Sequence, residues 1–350
     1  MARRGSNPTK AGSALPPFGE IRLIVPVYLP SLDGYFEHGL RVFEKMLDSI
    51  ADTTDDRVLV TVIDNGCAAE IGRSFEQYLA EGRVDRLVRS RLNRGKVDAV
   101  LAEMKASFEP VVVVADADVV FRRGWVDGVR AAFAAFPECG LLSLHPAPDL
   151  RWYASSSILA SARSRGATLL RAPVADSEDL ERFAQGVGRS VTEQPAEGQV
   201  LVARGDHALM LGFAHFAFAV RRAAIADLPG GPSLSTENGV DADYFELPAD
   251  RAGWWCATVL WALVHHVGNR IDPEEDQRID AFTLGTVDDR VGALPPAHRA
   301  MLARRLPDLA RRVVTKVHRS AYGREQAARR LVPSRDVRRV ASSASRITRG

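Results

Sequence analysis

Residues 111–121, Val-Val-Val-Val-Ala-Asp-Ala-Asp-Val-Val-Phe, constrain the fold more than any other stretch. Four β-branched residues followed by alanine predict a strand buried on both faces, because a half-exposed strand alternates apolar with polar. Such strands belong to parallel sheets covered by helices on each side. Asp116 and Asp118 fall where this strand leaves the core. A buried, unpaired carboxylate costs on the order of several kcal/mol, so a pair of them needs a cation. A divalent metal bridging the pair to a diphosphate would supply it. A solvated junction in which aspartate merely ends the strand is the plainer alternative.

The flanking pattern supports a sheet with crossovers. Strands are predicted at Ile21–Val27, Val58–Ile63 and Arg86–Ser90, and helices at Tyr35–Ala51, Ala68–Ala80 and Val97–Phe108. The β-α-β-α-β order implies a mostly parallel sheet with helices on both faces. Ligands of such sheets gather at the C-terminal strand ends, where Asp64 and the Asp116/Asp118 pair lie. Beyond Phe121 the spacing predicts a helix at Trp125–Phe136 and a strand at Gly140–Leu144. It then predicts a strand at Phe213–Val220, a helix at Asp241–Ala252 and a strand at Ala257–Val264. Residues 145–205 give no interpretable pattern.

Taken in order, these pieces resemble family 2 glycosyltransferases. The motifs are Pro26-Val27-Tyr28 after the first strand, Asp64-Asn65-Gly66 after the second, and Asn93-Arg94-Gly95-Lys96 entering a helix. They continue with Asp116-Ala117-Asp118, Arg221-Arg222 before Gly230-Gly231, Asp241-Ala242-Asp243, and His266-Val267-Gly268. Two positions depart from the pattern: Val240 precedes Asp241 where the family has Glu, and Pro232 follows the glycine pair. The resemblance implies an α/β GT-A fold, Rossmann-like, with a mixed, mostly parallel sheet flanked by helices.

The resemblance also implies a division of labour. The donor is a nucleoside-diphosphate sugar, with UDP expected, and the partner is an acceptor hydroxyl. Pro26, Val27, Tyr28, Asp64, Arg91, Asn93, Lys96, Asp116, Ala117 and Asp118 would line the donor cleft. Asp64 could accept the imide N–H of uracil, or serve only in a turn capping its strand. Lys96 otherwise reads as a solvated lysine in a first helical turn. Asp118, His266 and Asp116 would hold Mn²⁺ or Mg²⁺, with the imidazole favouring Mn²⁺. His265 should point to the opposite face of its strand. Asp241 is the expected general base, with Asp243 in reserve; both also suit a helix N-terminus. One base and no covalent nucleophile imply inversion, although retaining enzymes share the same motifs. Residues 229–240 would form a loop closing over the donor. A sugar nucleotidyltransferase would need a glycine-rich phosphate loop, which Pro26–Pro30 is not; a non-catalytic nucleotide-sugar-binding protein is the third reading.

Charge divides the chain. From Arg299 onward there are 15 Lys+Arg and 3 Asp+Glu, so with the whole chain at +2 the first 298 residues carry −10. The expected domains are a tail at 1–19, a catalytic domain at 20–270 with halves 20–120 and 121–270, and a basic helical extension at 271–350. Met301–Val317 has helical spacing, which suits a cap, a homo-oligomer contact or a peripheral membrane contact through 299–350. Within Met301–Val317 no aromatic residue interleaves the arginines, which argues against nucleic acid. Three scattered cysteines, no signal-like N-terminus and apolar runs of only about a dozen residues point to a cytoplasmic protein, peripheral at most to the inner face of a membrane.

Overall fold

The computed structural model describes residues 18–55, 57–150, 152–172, 177–186, 188, 198–236, 239–271 and 273–285. The predicted Met301–Val317 helix, the 299–350 tail and all but the end of the 1–19 segment lie outside these residues.

The first half follows the predicted order. Strand β1 (Ile21–Val27) leads to α1 (Gly39–Thr53), β2 (Val58–Asn65), α2 (Ala69–Ala80), β3 (Arg86–Ser90), α3 (Lys96–Ala106) and β4 (Val111–Ala115). β1 pairs in parallel with both β2 and β4, and β2 in parallel with β3. The four valines of β4 serve two cores because successive side chains leave opposite faces. Val113 packs with Phe43 of α1 and Phe75 of α2, while Val112 and Val114 pack with Val97, Val100 and Met104 of α3. Each fully buried side chain of this kind contributes about 1.5–3 kcal/mol. α1 starts four residues later than its apolar stripe suggested, since Gly34–Phe36 form a separate 3₁₀ turn.

The second half contributes β5 (Val119–Phe121), α4 (Trp125–Ala135), β6 (Cys139–Ser143), α5 (Ser156–Ser161), β7 (Thr168–Ala172), α6 (Ser177–Gly186) and β8 (Gln199–Arg204). Then come β9 (His207–Leu211), β10 (Ala217–Arg221), α7 (Arg222–Ile225), α8 (Val240–Tyr244), α9 (Glu246–Arg251), β11 (Trp255–Thr258), β12 (Val264–His266) and α10 (Pro273–Leu284). Ten strands form one sheet in the order β3-β2-β1-β4-β10-β6-β11-β9-β8-β7. β10, β9 and β7 run against the other seven, so the sheet is mixed but mostly parallel.

The strand predicted from Val111 ends at Ala115, before the acidic pair, and Val119–Phe121 form a further strand, β5, that leaves the main sheet to pair with β12. Two predicted segments are divided. Ala257–Val264 spans the end of β11 and the start of β12, which lie in different sheets. Asp241–Ala252 is two short helices interrupted at Phe245, whose φ and ψ of −115° and −83° are not helical. α10 lies past the boundary expected at 270. Its Ile279 and Phe282 pack with Val42, Val120 and Val267, and its Asp276 pairs with Arg41 at 2.5 Å and Lys45 at 2.9 Å. No helix among the described residues is long and apolar enough to cross a membrane.

Candidate donor and metal site

The parallel strands β1, β2 and β4 end on the same side of the sheet, and a cavity of about 480 Å³ opens there. Pro26, Val27 and Tyr28 line it from the end of β1, Asn65 from β2, and Asp116, Ala117 and Asp118 from the turn after β4. Asn93, Gly95 and Lys96 enter from the start of α3, and Tyr35 and Phe36 form an aromatic edge with Tyr28. Gly95 has φ +78°, and a Cβ there would stand 2.5 Å from the Ser235 carbonyl. The absence of a side chain lets the 233–236 segment approach the cavity. Asp98 holds that segment by accepting N–H bonds from Ser233 at 2.5 Å and Leu234 at 3.1 Å. Burial opposes this carboxylate, but hydrogen bonds from the Ser233 N–H and side chain and from the Leu234 N–H outweigh it and keep Asp98 below its ordinary range.

The acidic turn is fixed from two sides. The Asp116 N–H donates to the Phe216 carbonyl at 2.8 Å, and the Val267 N–H donates to the Asp118 carbonyl at 2.8 Å. Pairing of Val119 with His266 in the β5–β12 ladder then sets the imidazole beside Asp118, with Nε2 3.5 Å from Oδ2. One ligand-type atom from each of Asp116, Asp118 and His266 lies within 4.8 Å of the others. Asp118 Oδ1 and His266 Nδ1 are buried with no hydrogen-bond partner. Burial pushes the Asp118 carboxyl up; His266 pulls it down, but Asp116 adds to the burial effect. Two carboxylates and an imidazole, with buried atoms lacking partners, fit a divalent cation.

Lys96 is not a solvated lysine. Its Nζ lies 2.6 Å from Asp116 Oδ1 and 3.5 Å from Asp241 Oδ1, and donates to the His215 carbonyl at 3.2 Å. Burial disfavours the ammonium, yet the two carboxylates outweigh burial and raise its pKa. Asp241 is buried in the first turn of α8, whereas Asp243, two residues on, is exposed. The lysine therefore connects the acidic turn to Asp241 and not to Asp243.

Two predicted donor residues stand apart from this cluster. Asp64 is buried, with Oδ1 accepting the Cys67 N–H at 2.9 Å and Oδ2 paired with Arg89 at 3.1 Å. That is the strand-capping turn named above as its alternative role. Its neighbour Asn65 lines the cavity and ties the Asn93 loop in place, donating to Asn93 Oδ1 at 3.0 Å and accepting from the Arg94 N–H at 2.9 Å. Arg91 is exposed and does not line the cavity. His265 is turned away from His266 and lies beside Phe282, with ring centroids 5.6 Å apart, as strand alternation requires.

The sequence did not reveal Glu246, His215 or Tyr153. Glu246 is fully buried and its Oε1 accepts from Tyr153 Oη at 3.0 Å and meets His215 Nδ1 at 3.3 Å, while Oε2 has no partner. Burial lowers the His215 pKa, but Glu246 more than restores it and leaves it raised. The one signal was an acid in the middle of the predicted helix Asp241–Ala252 with no basic residue three or four positions away.

The fold and the acidic cleft at its strand ends define a GT-A domain. Residues 35–165 match the sequence profile described as Glycosyl transferase family 2. No curated protein sequence matches the chain. Among solved structures it is similar to the mannosyltransferase PcManGT of Pyrobaculum calidifontis in complex with GDP-Man and Mn²⁺ (15% identity, TM-score 0.42, covering 94% of this chain and 80% of that one). It is also similar to glucosyl-3-phosphoglycerate synthase of Mycobacterium tuberculosis with Mn²⁺, UDP and glucosyl-3-phosphoglycerate (17%, 0.38, 83% and 88%). A third is residues 1–349 of Staphylococcus aureus TarS with UDP-GlcNAc (13%, 0.43, 86% and 73%).

Proposed function

We propose that the protein transfers a sugar from a nucleoside-diphosphate donor, UDP-linked, to an acceptor hydroxyl with inversion at the anomeric carbon. The observation that carries this reading is the convergence of Asp116, Asp118 and His266 at the strand ends, with Lys96 joining them to Asp241. Asp116, Asp118 and His266 are the residues that would hold Mn²⁺ or Mg²⁺. When bound, such a cation neutralises charge on the leaving diphosphate. Lys96 adds a second positive charge beside the same group and orients Asp241.

The nucleobase falls to the pocket edge made by Tyr28, Phe36 and Asn65, and Pro26–Tyr28 supply backbone groups. Asp64 acts through the shape of its turn unless it exchanges Arg89 for the base. Asp241 accepts the acceptor's hydroxyl proton; its buried Oδ1 makes no hydrogen bond and faces the Lys96 ammonium at 3.5 Å, which orients the carboxylate. The 229–236 segment, tethered by Asp98, covers the donor.

Titration calorimetry of the whole chain with UDP, TDP and GDP, each with Mn²⁺ and with EDTA, tests the reading. Metal-dependent binding of UDP alone is expected. Binding of GDP or TDP in its place reassigns the nucleotide, and no binding of any of them refutes a donor site.

A further inference from the structure

β12 is a wall between two cavities. His266 faces the acidic cluster, while His265 and Val267 line a second cavity of about 180 Å³ on the other side. A water occupies about 30 Å³ in the liquid, so this space has room for a phosphate group. Arg182 enters it from α6, Arg270 from the segment after β12, and Arg278 from α10. Asn269 lines both cavities.

Its polar wall is made of donors. Among the described residues no carboxylate lines it. Arg182 pairs with Asp179 at 3.0 Å and with Glu178, and Arg278 with Glu274 at 3.7 Å, but those carboxylates stand outside the lining. Arg270 is exposed and has no ion-pair partner among the described residues. Guanidinium forks match the oxygens of phosphate, and Arg270, without a carboxylate partner among the described residues, leaves positive charge on the hollow for an anion to offset.

We propose that this cleft binds a phosphate group, carried either by inorganic phosphate or by a small phosphomonoester. The site is independent of the donor reading, because none of its arginines touches the acidic cluster. A phosphomonoester held here would extend past Asn269 into the larger cavity.

Calorimetry of the full chain in EDTA, with inorganic phosphate, glycerol 3-phosphate and glycerol as probes, tests the site. Phosphate or glycerol 3-phosphate should bind and glycerol should not. Tighter binding of glycerol 3-phosphate identifies an organic ligand; equal affinity identifies the free ion. Arg270→Gln and Arg278→Gln, both at exposed positions, should each weaken binding by about tenfold and leave the melting temperature unchanged. Unaltered affinity in both variants, no binding by the natural chain, or displacement of inorganic phosphate by UDP with Mg²⁺ would overturn the proposal.

Discussion

Lys96 and Asp116 form an ion pair of 2.6 Å that links the first turn of α3 to the end of β4. The same ammonium reaches Asp241, so one cation offsets the repulsion between two carboxylates. It also competes with any second cation for Asp116. At an effective dielectric near 20, single and double positive charges about 5 Å apart repel by roughly 6–7 kcal/mol, most of which relaxation and screening remove. Lys96→Met should therefore bind Mn²⁺ at least about tenfold more tightly while binding UDP more weakly. Opposite shifts in the two titrations are the expected signature; parallel losses would mean that Lys96 only holds the fold.

Asp118 separates function from stability. Burial opposes its charge in the folded protein, so Asp118→Asn removes a desolvated carboxylate. The melting temperature without metal should hold or rise, while metal-dependent UDP binding is lost. A variant that keeps that binding removes Asp118 from the metal site.

Asp241→Asn should retain UDP and metal affinity while turnover falls by about a hundredfold or more, the usual range for loss of a general base. Single-turnover kinetics separate the two. A variant of normal rate transfers the role to Asp243.

His145 makes stability depend on pH. It is buried beside the stacked rings of Phe183 and Phe216, its Nδ1 meets the Pro146 carbonyl at 2.9 Å, and burial lowers its pKa to about 4. The unfolded chain takes up this proton near pH 6.5 and the folded chain only near 4. The contribution is thus complete above about pH 6.5 and is lost as pH falls toward 4, amounting to about 3 kcal/mol. Urea unfolding of the natural chain and His145→Gln, compared at pH 7 and 5, should show a flatter profile for the variant.

Local sequence was most informative where an element is defined by its own residues. β1 and β3 have the predicted limits. It was least informative where partners change. Nothing in Val111–Phe121 says that the valines before Asp116 and after Asp118 pair in different sheets. Likewise the apolar residues of 257–264 do not mark the passage from β11 to β12. At the site, Asp116, Asp118, His266 and Asp241 were legible as motifs with fixed chemistry. Glu246 and His215 were not, since their meeting depends on the break at Phe245 and on the loop between β9 and β10.

The two bonds that pin the acidic turn come from Phe216 and Val267, both far downstream of it. The ligand cluster therefore cannot preform in a partly folded chain that has only its first half in place. Whatever binds there selects the completed sheet, and its binding energy adds to global unfolding, by about 2.7 kcal/mol at a hundredfold excess over Kd. Occupancy of this site would act as a clasp between residues far apart in the chain, so a ligand held there should also slow proteolysis of the folded protein.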